Sequence, residues 1–557
     1  MKFVAIDVET TGLGWKDSLL SVAASRRNDA GDMEGKVWLI NAADLFHAPV
    51  PLPQVRYELM QWVNPADAVV MHNATFDLGY LFQSGILVPD DVRGKLLDTM
   101  LTARMTGGRP SVSLKNLAIS YGLSNPKWED QKRLRTDMIN VPIELLLEYN
   151  VEDTTITTLL AEKLWKEAEA IYGRDFVLRE SDFCRLMAEI KCRGKALDEQ
   201  RIGEMRRMMT EDLSRLYEDF LFPAKIEGAN DRNGIIRWLV DSGVGSLPKT
   251  DKGNPTVDET VLLNIADRSP HPIKDMINAI LEARHLTKAV STWIDGLWDE
   301  SDGEGRVHPN YTVAGTVSYR LTCSHPNLQA VPKDMDVWKS YVSADYSQAE
   351  LRLAAMYAAE NNMAAQFDLG TDFHAATADL MFGQSTDENR ALAKRCNFAS
   401  IYGAGVTKLA ESAGVSIEKA GRLRNQHRKI FPGLVRMGKK AENVWTTNGY
   451  ITLLTGKRLY ATPEDLQYRP YKAFNQLIQG GVAEIIKEAM FNLERSGYKI
   501  INQVHDSLEF EPPVDMGEIK RTMRGVIPEK IKCRTEPIIE MAVDLDIIRE
   551  EIDDRPF

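Results

Sequence analysis

The stretch Val342-Ser343-Ala344-Asp345-Tyr346-Ser347-Gln348-Ala349-Glu350-Leu351-Arg352 constrains the fold more than any other part of the chain. Its first half alternates as a strand does (Tyr341, Val342, Ala344), and it then enters a helix of small and apolar residues from Leu351 to Ala359. An Asp at such a junction is most often a helix cap. A second carboxylate far along the chain argues for more than a cap. In Asn502-Gln503-Val504-His505-Asp506-Ser507-Leu508-Glu509-Phe510, apolar runs flank a His-Asp pair as at the tip of a hairpin. If strand and hairpin meet, Asp345 and Asp506 can hold a pair of Mg²⁺ ions roughly 3.5–4 Å apart, the arrangement used for in-line phosphoryl transfer.

A chain of 557 residues exceeds one core and points to about three domains. With 44% hydrophobic and 27% charged residues its composition is that of a globular protein. The N-terminus meets charge at once and has no small-residue cleavage site, so no signal peptide is expected. No run of about 18 apolar residues predicts a membrane span. Cys184, Cys192, Cys323, Cys396 and Cys533 are scattered without a Cys-x-x-Cys pair, which argues against zinc and redox chemistry and for reduced thiols in a cytoplasmic setting. The net charge of -12 disfavours indiscriminate nucleic-acid binding, but a basic track runs from Arg390 to Lys440, opposed only by Glu411 and Glu418. Such a surface attracts a phosphate backbone.

Lys2 to Val8 reads as a strand, and Asp7 and Glu9, two apart, project from one face. A second strand, Ala68 to Met71, leads to His72-Asn73-Ala74-Thr75-Phe76-Asp77, where a helix starts. A helix over Ile143 to Leu160 carries Tyr149 and Asp153 on one face, four residues apart. Brought together, the four carboxylates would repel one another unless divalent cations neutralised them. Two Mg²⁺ or Mn²⁺ ions there would activate a water and stabilise the leaving oxygen of a phosphodiester. From Leu159 to Leu221 and from Ile273 to Gly296 the pattern is helical, with a Met-rich stripe that reads as core and no spacing that demands catalysis.

Arg390, Lys394, Phe398 and Tyr402 recur every four residues and form one stripe on a helix. Two cations followed by two aromatics suit a nucleotide, with phosphates at one end and a stacked base at the other. Asn475 and Gln479 lie one helical turn apart, and Gly315 to Thr322 with His325 to Pro332 form an irregular loop around Arg320.

On these motifs the sequence resembles family A DNA polymerases, the DNA polymerase I type, over roughly 1–170 and 311–557. The first part is similar to the DEDD-superfamily 3′–5′ proofreading exonucleases, in the version with Tyr. The resemblance implies an α/β and α+β multidomain fold. A ribonuclease-H-like exonuclease domain (1–170) precedes a helical thumb and connector (171–310). A right-hand palm and fingers follow (311–557, fingers near 355–445). It implies that Asp7, Glu9, Asp77 and Asp153 hold metal and that Tyr149 positions the attacking water. In the second part Asp345, Asp506 and the Tyr346 carbonyl would hold metal. Glu350 would be the steric gate against a ribose 2′-hydroxyl, and His374, Arg390, Lys394, Phe398 and Tyr402 would meet the incoming dNTP. Lys394 would also protonate the pyrophosphate. Arg320, Arg458, Asn475, Gln479 and His505 would contact DNA. Phe398, where Tyr is an alternative, implies discrimination against terminators lacking the 3′-hydroxyl.

The chain departs from the family at Tyr319, where Gly is common, at Tyr471 in place of Arg, and at Ser507 in place of the Glu of His-Asp-Glu. Strand alternation puts Glu509 and Glu511 on the Ser507 face, opposite Asp506. The expectation is a primer-dependent, template-directed DNA polymerase with a proofreading exonuclease, two Mg²⁺ per site (or Mn²⁺), replicating a phage genome as a monomer in the cytoplasm of an infected bacterium. Primer–template DNA and dNTPs would be its substrates, and a helicase, primase or processivity factor its partners. No 5′-nuclease domain is expected before the exonuclease. The alternatives are a 3′–5′ exonuclease with a degenerate, DNA-holding polymerase module, a non-enzymatic replication scaffold, and an RNA polymerase, which Glu350 disfavours.

Overall fold

Strand Phe3–Thr10 is buried along nearly its whole length because it lies at the centre of a five-stranded sheet. On one side it pairs antiparallel with Leu19–Arg27, which pairs in turn with Met33–Leu39. On the other it runs parallel to Ala68–Met71, which is followed by Leu96–Asp98. The parallel strands are fully buried apolar runs, as strands covered on both faces must be. Helix Ile143–Tyr172, longer than its periodicity predicted, lays Ala161, Trp165 and Ala168 against Phe3, Ala5, Val70 and Leu97. The coordinates, a computed structural model, describe residues 1–41, 47–123, 141–250 and 252–548.

The second sheet is antiparallel and four-stranded, in the order Ile500–Val504, Ser507–Phe510, Tyr341–Ser347, Ala542–Ile548. Along Tyr341–Ser347 the residues Val342, Ala344 and Tyr346 are buried, while Ser343, Asp345 and Ser347 face the other way. Helix Ala349–Ala358 follows through Gln348, whose φ of 54° turns the chain sharply. Gln348 occupies the cap position, so Asp345 is not a cap. Helices Asp387–Tyr402, Val406–Ala413, Ile417–Ile430 and Pro432–Asn448 carry the basic track, with Arg422, Arg428, Lys429, Arg436, Lys439 and Lys440 exposed.

Packing divides the chain into two compact units, one of Met1–Gly194, Pro309–Gln329 and Ser340–Phe557, the other of Lys195–His308 and Ala330–Lys339. The second unit is helical. Helices Glu199–Leu216, Arg232–Asp241, Glu259–Ala266 and His271–Lys288 close over a core that includes Leu221, Ile235, Leu262 and Ile280.

Helix Arg174–Arg193 belongs to the first unit. Its Arg185 is fully buried and bonded to Asp182 and to Glu494 of helix Ala473–Arg495, and Arg179 pairs with Glu488 at 2.5 Å. A guanidinium satisfied on several sides inside the fold has no hydrogen bonds left for phosphate.

Candidate active sites

Asp7 and Glu9 project from the central strand, Asp153 from the long helix, and Asp77 from helix Ala74–Gln83. One carboxylate oxygen each of Asp7, Glu9 and Asp153 lies within 4.8 Å of the others. Asp77 accepts the Val8 N–H at 3.1 Å, which pins its helix to the strand between the two acids. Burial raises the Asp7 carboxyl well above the ordinary range, and the charges of Asp77, Glu9 and Asp153 raise it further. Burial likewise pushes Asp77 up to about 8. Hard oxygen donors crowded to the point of mutual repulsion suit a divalent cation, which would relieve the cost. Tyr149 sits one turn before Asp153 but is 3% exposed, within an apolar cluster that includes Leu114, Leu117 and Ile156.

Two residues of this site escaped the sequence reading. Asn150 donates to Asp7 at 2.7 Å and accepts from Ser21 at 2.9 Å. Asp98, at the end of its strand, accepts the Ala74 N–H at 2.7 Å and so holds the start of the Asp77 helix. The spacing of Asn150, three residues before Asp153, was the available signal.

In the second sheet Asp345 faces Ser507 in register across the neighbouring strand, and Asp506 occupies the tight turn with His505. The Asp506 carbonyl accepts the Tyr346 N–H at 3.1 Å, which joins the hairpin tip to the Asp345 strand. Burial pushes the Asp506 carboxyl up to about 6; the Arg320 guanidinium opposes this, and the Glu350 and Asp345 charges add to it. The two aspartates therefore feel each other's field. Ser507 donates to the Val504 carbonyl at 2.9 Å and brings no charge. Glu509 does share the Ser507 face, but it is buried and accepts from Asn502 at 2.8 Å. Asp544, which the sequence reading missed, stands opposite Asp345 on the other flanking strand. The alternation of Ala542–Ile548 was its signal, but only the register shows whom it faces.

Glu350 is buried and bridges two groups, accepting from Arg320 and, at 2.9 Å, from the Tyr402 hydroxyl. Tyr402 stacks on Phe398 with ring centroids 5.7 Å apart, and Lys394 is exposed on the same helix. Arg390 pairs with Asp372 at 2.6 Å. His374 lies largely within the fold. It is 7% exposed, its Nδ1 is 3.0 Å from the Asn397 amide nitrogen, and burial pushes it down to about 4, so the ring is neutral. The Tyr346 side chain is also turned away, its hydroxyl donating to the Met523 carbonyl at 2.7 Å, so only its backbone can serve the site. Asn475 and Gln479 share a half-buried face of helix Ala473–Arg495, and the Asn475 side-chain oxygen is shielded without a protein partner. Arg458 lies over the Tyr450 ring at 4.3 Å.

These two sheets, each with an acidic cluster, make up a right-hand polymerase fold joined to a ribonuclease-H-like exonuclease domain. The chain belongs to DNA polymerase family A, whose family model matches residues 239–547, and a 3′–5′ exonuclease model matches residues 1–169. Both families depend on metal ions in general. DNA polymerase I of Chloroflexus aurantiacus is 30% identical over 531 residues, covering 87% of this chain and 55% of that protein. The DNA polymerase of Mycobacterium phage L5 is 26% identical over 548 residues, covering 92% and 87%. The chain thus spans about half the length of the first bacterial relatives it matches. A solved structure, the POL domain of Pol1 from M. smegmatis in complex with DNA primer-template and dNTP, superposes with a TM-score of 0.75 at 22% identity, over 98% of this chain and 94% of that one. Among the described residues no helix is long and apolar enough to cross a membrane.

Proposed function

We propose that the chain is a primer-dependent, template-directed DNA polymerase with a 3′–5′ proofreading exonuclease. The observation that carries the reading is the pair of acidic clusters on separate sheets, one of which shares its site with a helix presenting two cations and two aromatics. Asp345 and Asp506 at one site, and Asp7, Glu9, Asp77 and Asp153 at the other, would hold divalent metal ions, which when bound would supply charge neutralisation and polarisation of the attacking oxygen. Mg²⁺, with Mn²⁺ as a substitute, fits such all-oxygen donor sets.

The chain's own residues do the rest. Arg390 and Lys394 meet the triphosphate, Arg390 exchanging Asp372 for phosphate oxygens. Phe398 and Tyr402 offer their stacked rings to the incoming base and the templating position. Glu350, fixed between Arg320 and Tyr402, occupies the space a ribose 2′-hydroxyl would need, which favours deoxynucleotides. Arg320, Asn475, Gln479 and His505 track the primer and template in the minor groove, where pairing is checked without reading sequence. The exposed cations from Arg422 to Lys440 attract the template strand. The similarity to a phage polymerase over most of both chains supports a role in phage genome replication; in that role the chain acts as a monomer in the host cytoplasm and meets a helicase, primase or processivity factor.

A labelled primer–template with Mg²⁺, with and without dNTPs, tests the reading. The wild type extends the primer with dNTPs and shortens it without them, and EDTA stops both. Asp345→Asn lowers extension by about a hundred- to a thousandfold and spares shortening. Ser507 supports a second reading, an exonuclease with a DNA-holding module, and a wild type that shortens but never extends would establish it.

A further inference from the structure

Tyr319 precedes the primer-side arginine and has a backbone φ of 59°. A bulky residue in that left-handed region is uncommon and is held there only when its surroundings over-determine it. Here they do. The ring is 6% exposed and lies 4.1 Å from the Lys457 ammonium, which Glu180 and Glu484 hold at 2.8 and 3.4 Å. The phenol hydroxyl is 2.9 Å from the Arg458 carbonyl and 3.2 Å from the Arg104 carbonyl.

Arg104 lies in the last turn of helix Thr99–Thr106, where carbonyls have no partner within the helix. Tyr172 donates to the next of these, the Met105 carbonyl, at 2.7 Å and accepts the Arg458 N–H at 3.1 Å. At its other end the same helix is capped by Asp98, whose second oxygen holds the start of the Asp77 helix. One short helix therefore lies between the start of the Asp77 helix and the residue next to Arg320. Arg320 in turn reaches Glu350, and through it Tyr402.

We propose that Tyr319 is a positioning residue that fixes Arg320 at the primer terminus by tying its backbone to the exonuclease domain, so that primer occupancy of the polymerase site depends on that tie. The proposal rests on the reading of Arg320 as a primer contact. A glycine takes up the left-handed conformation without strain, so Tyr319→Gly removes the tie without adding backbone strain, and Tyr319→Phe removes the hydroxyl while keeping the ring.

The full-length protein is assayed as wild type, Y319F, Y319G, R320A and Y319G/R320A. Y319F loses the hydroxyl tie alone and lowers kcat for extension from a matched primer by about fivefold, the value of one hydrogen bond. Y319G lowers it further, with the dNTP KM within about twofold of wild type. Both variants degrade single-stranded DNA at the wild-type rate but shorten a matched duplex primer faster. In the R320A background Y319G has no further effect, because the two act as one unit. If R320A is impaired and Y319G adds its full factor to it, or if Y319F and Y319G extend as wild type does, the proposal is overturned. If R320A itself extends as wild type does, the reading of Arg320 falls and the proposal with it.

Discussion

Glu180 offers a stability test with a magnitude that can be worked beforehand. Its carboxylate is 1% exposed and accepts from Lys457 at 2.8 Å and from Lys487, linking helix Arg174–Arg193 to helix Ala473–Arg495 and to the strand that begins at Arg458. Burial opposes its charge, but the two ammonium groups win and hold it down to about 2, against an ordinary 4.5. That difference is worth about 3 kcal/mol in favour of the ionised form. Breaking a buried pair by removing one partner independently costs about 3–5 kcal/mol.

Glu180→Gln should therefore lose about 3 kcal/mol at neutral pH, read from guanidinium unfolding followed by tryptophan fluorescence. The loss stays near the low end because burial already lowers Lys487, which can shed its proton once its counter-ion is gone. The sign with pH follows from a depressed carboxyl. The stabilisation is fully present above the unfolded value near 4.5 and is lost as pH falls toward 2. The gap between wild type and Glu180→Gln should be constant from about pH 7 to pH 5 and narrow below that. A loss under about 1 kcal/mol, or a gap of unchanged width down to about pH 3, refutes the reasoning.

Asp7→Ala should abolish 3′–5′ shortening of a labelled primer while extension continues, since Asp7 belongs to the first cluster alone; shortening that persists in the pure variant removes that cluster from the chemistry. Asp506→Asn should lower extension about a hundredfold or more, far beyond any change at position 507. Ser507→Glu adds a carboxylate directly across from Asp345 and should shift the Mg²⁺ concentration for half-maximal extension rather than abolish the activity; a titration with Mg²⁺ reads it. Phe398→Tyr should raise incorporation of terminators lacking a 3′-hydroxyl, measured as the ratio of terminator to normal nucleotide in single-turnover extension.

The parts of both sites that could be read from the sequence are those set by local geometry. Asp7 and Glu9 alternate along one strand, Tyr149 and Asp153 share a helix face, and the stripe from Arg390 to Tyr402 repeats every turn. The hairpin around Asp506 was legible for the same reason. Periodicity says which residues share a face but not what the face meets. Arg185 lies on a helix whose sequence does not show what it meets, and it is the fully buried partner of Asp182 and Glu494. His374, expected to meet the incoming dNTP, is largely buried beside Asn397, a burial that its position in the sequence does not reveal. Asp544 was invisible because its relation to Asp345 is a strand register across the sheet. The helix after Asp345 moved little, from Leu351–Ala359 expected to Ala349–Ala358 found, where the left-handed Ala359 ends it, whereas the helix expected over Ile143–Leu160 continues to Tyr172.

The order of strands in the second sheet has a consequence for how the protein is made. The strand bearing Asp345 has as its neighbours Ser507–Phe510 and Ala542–Ile548, both synthesised long after it, whereas the five strands of the first sheet all precede residue 99. During translation the nuclease sheet can close early, while the Asp345 strand waits with both edges bare. A nascent chain released too soon would thus carry a closed first sheet beside an open, sticky strand, and a temporary escort at the ribosome would matter most for its last stretch.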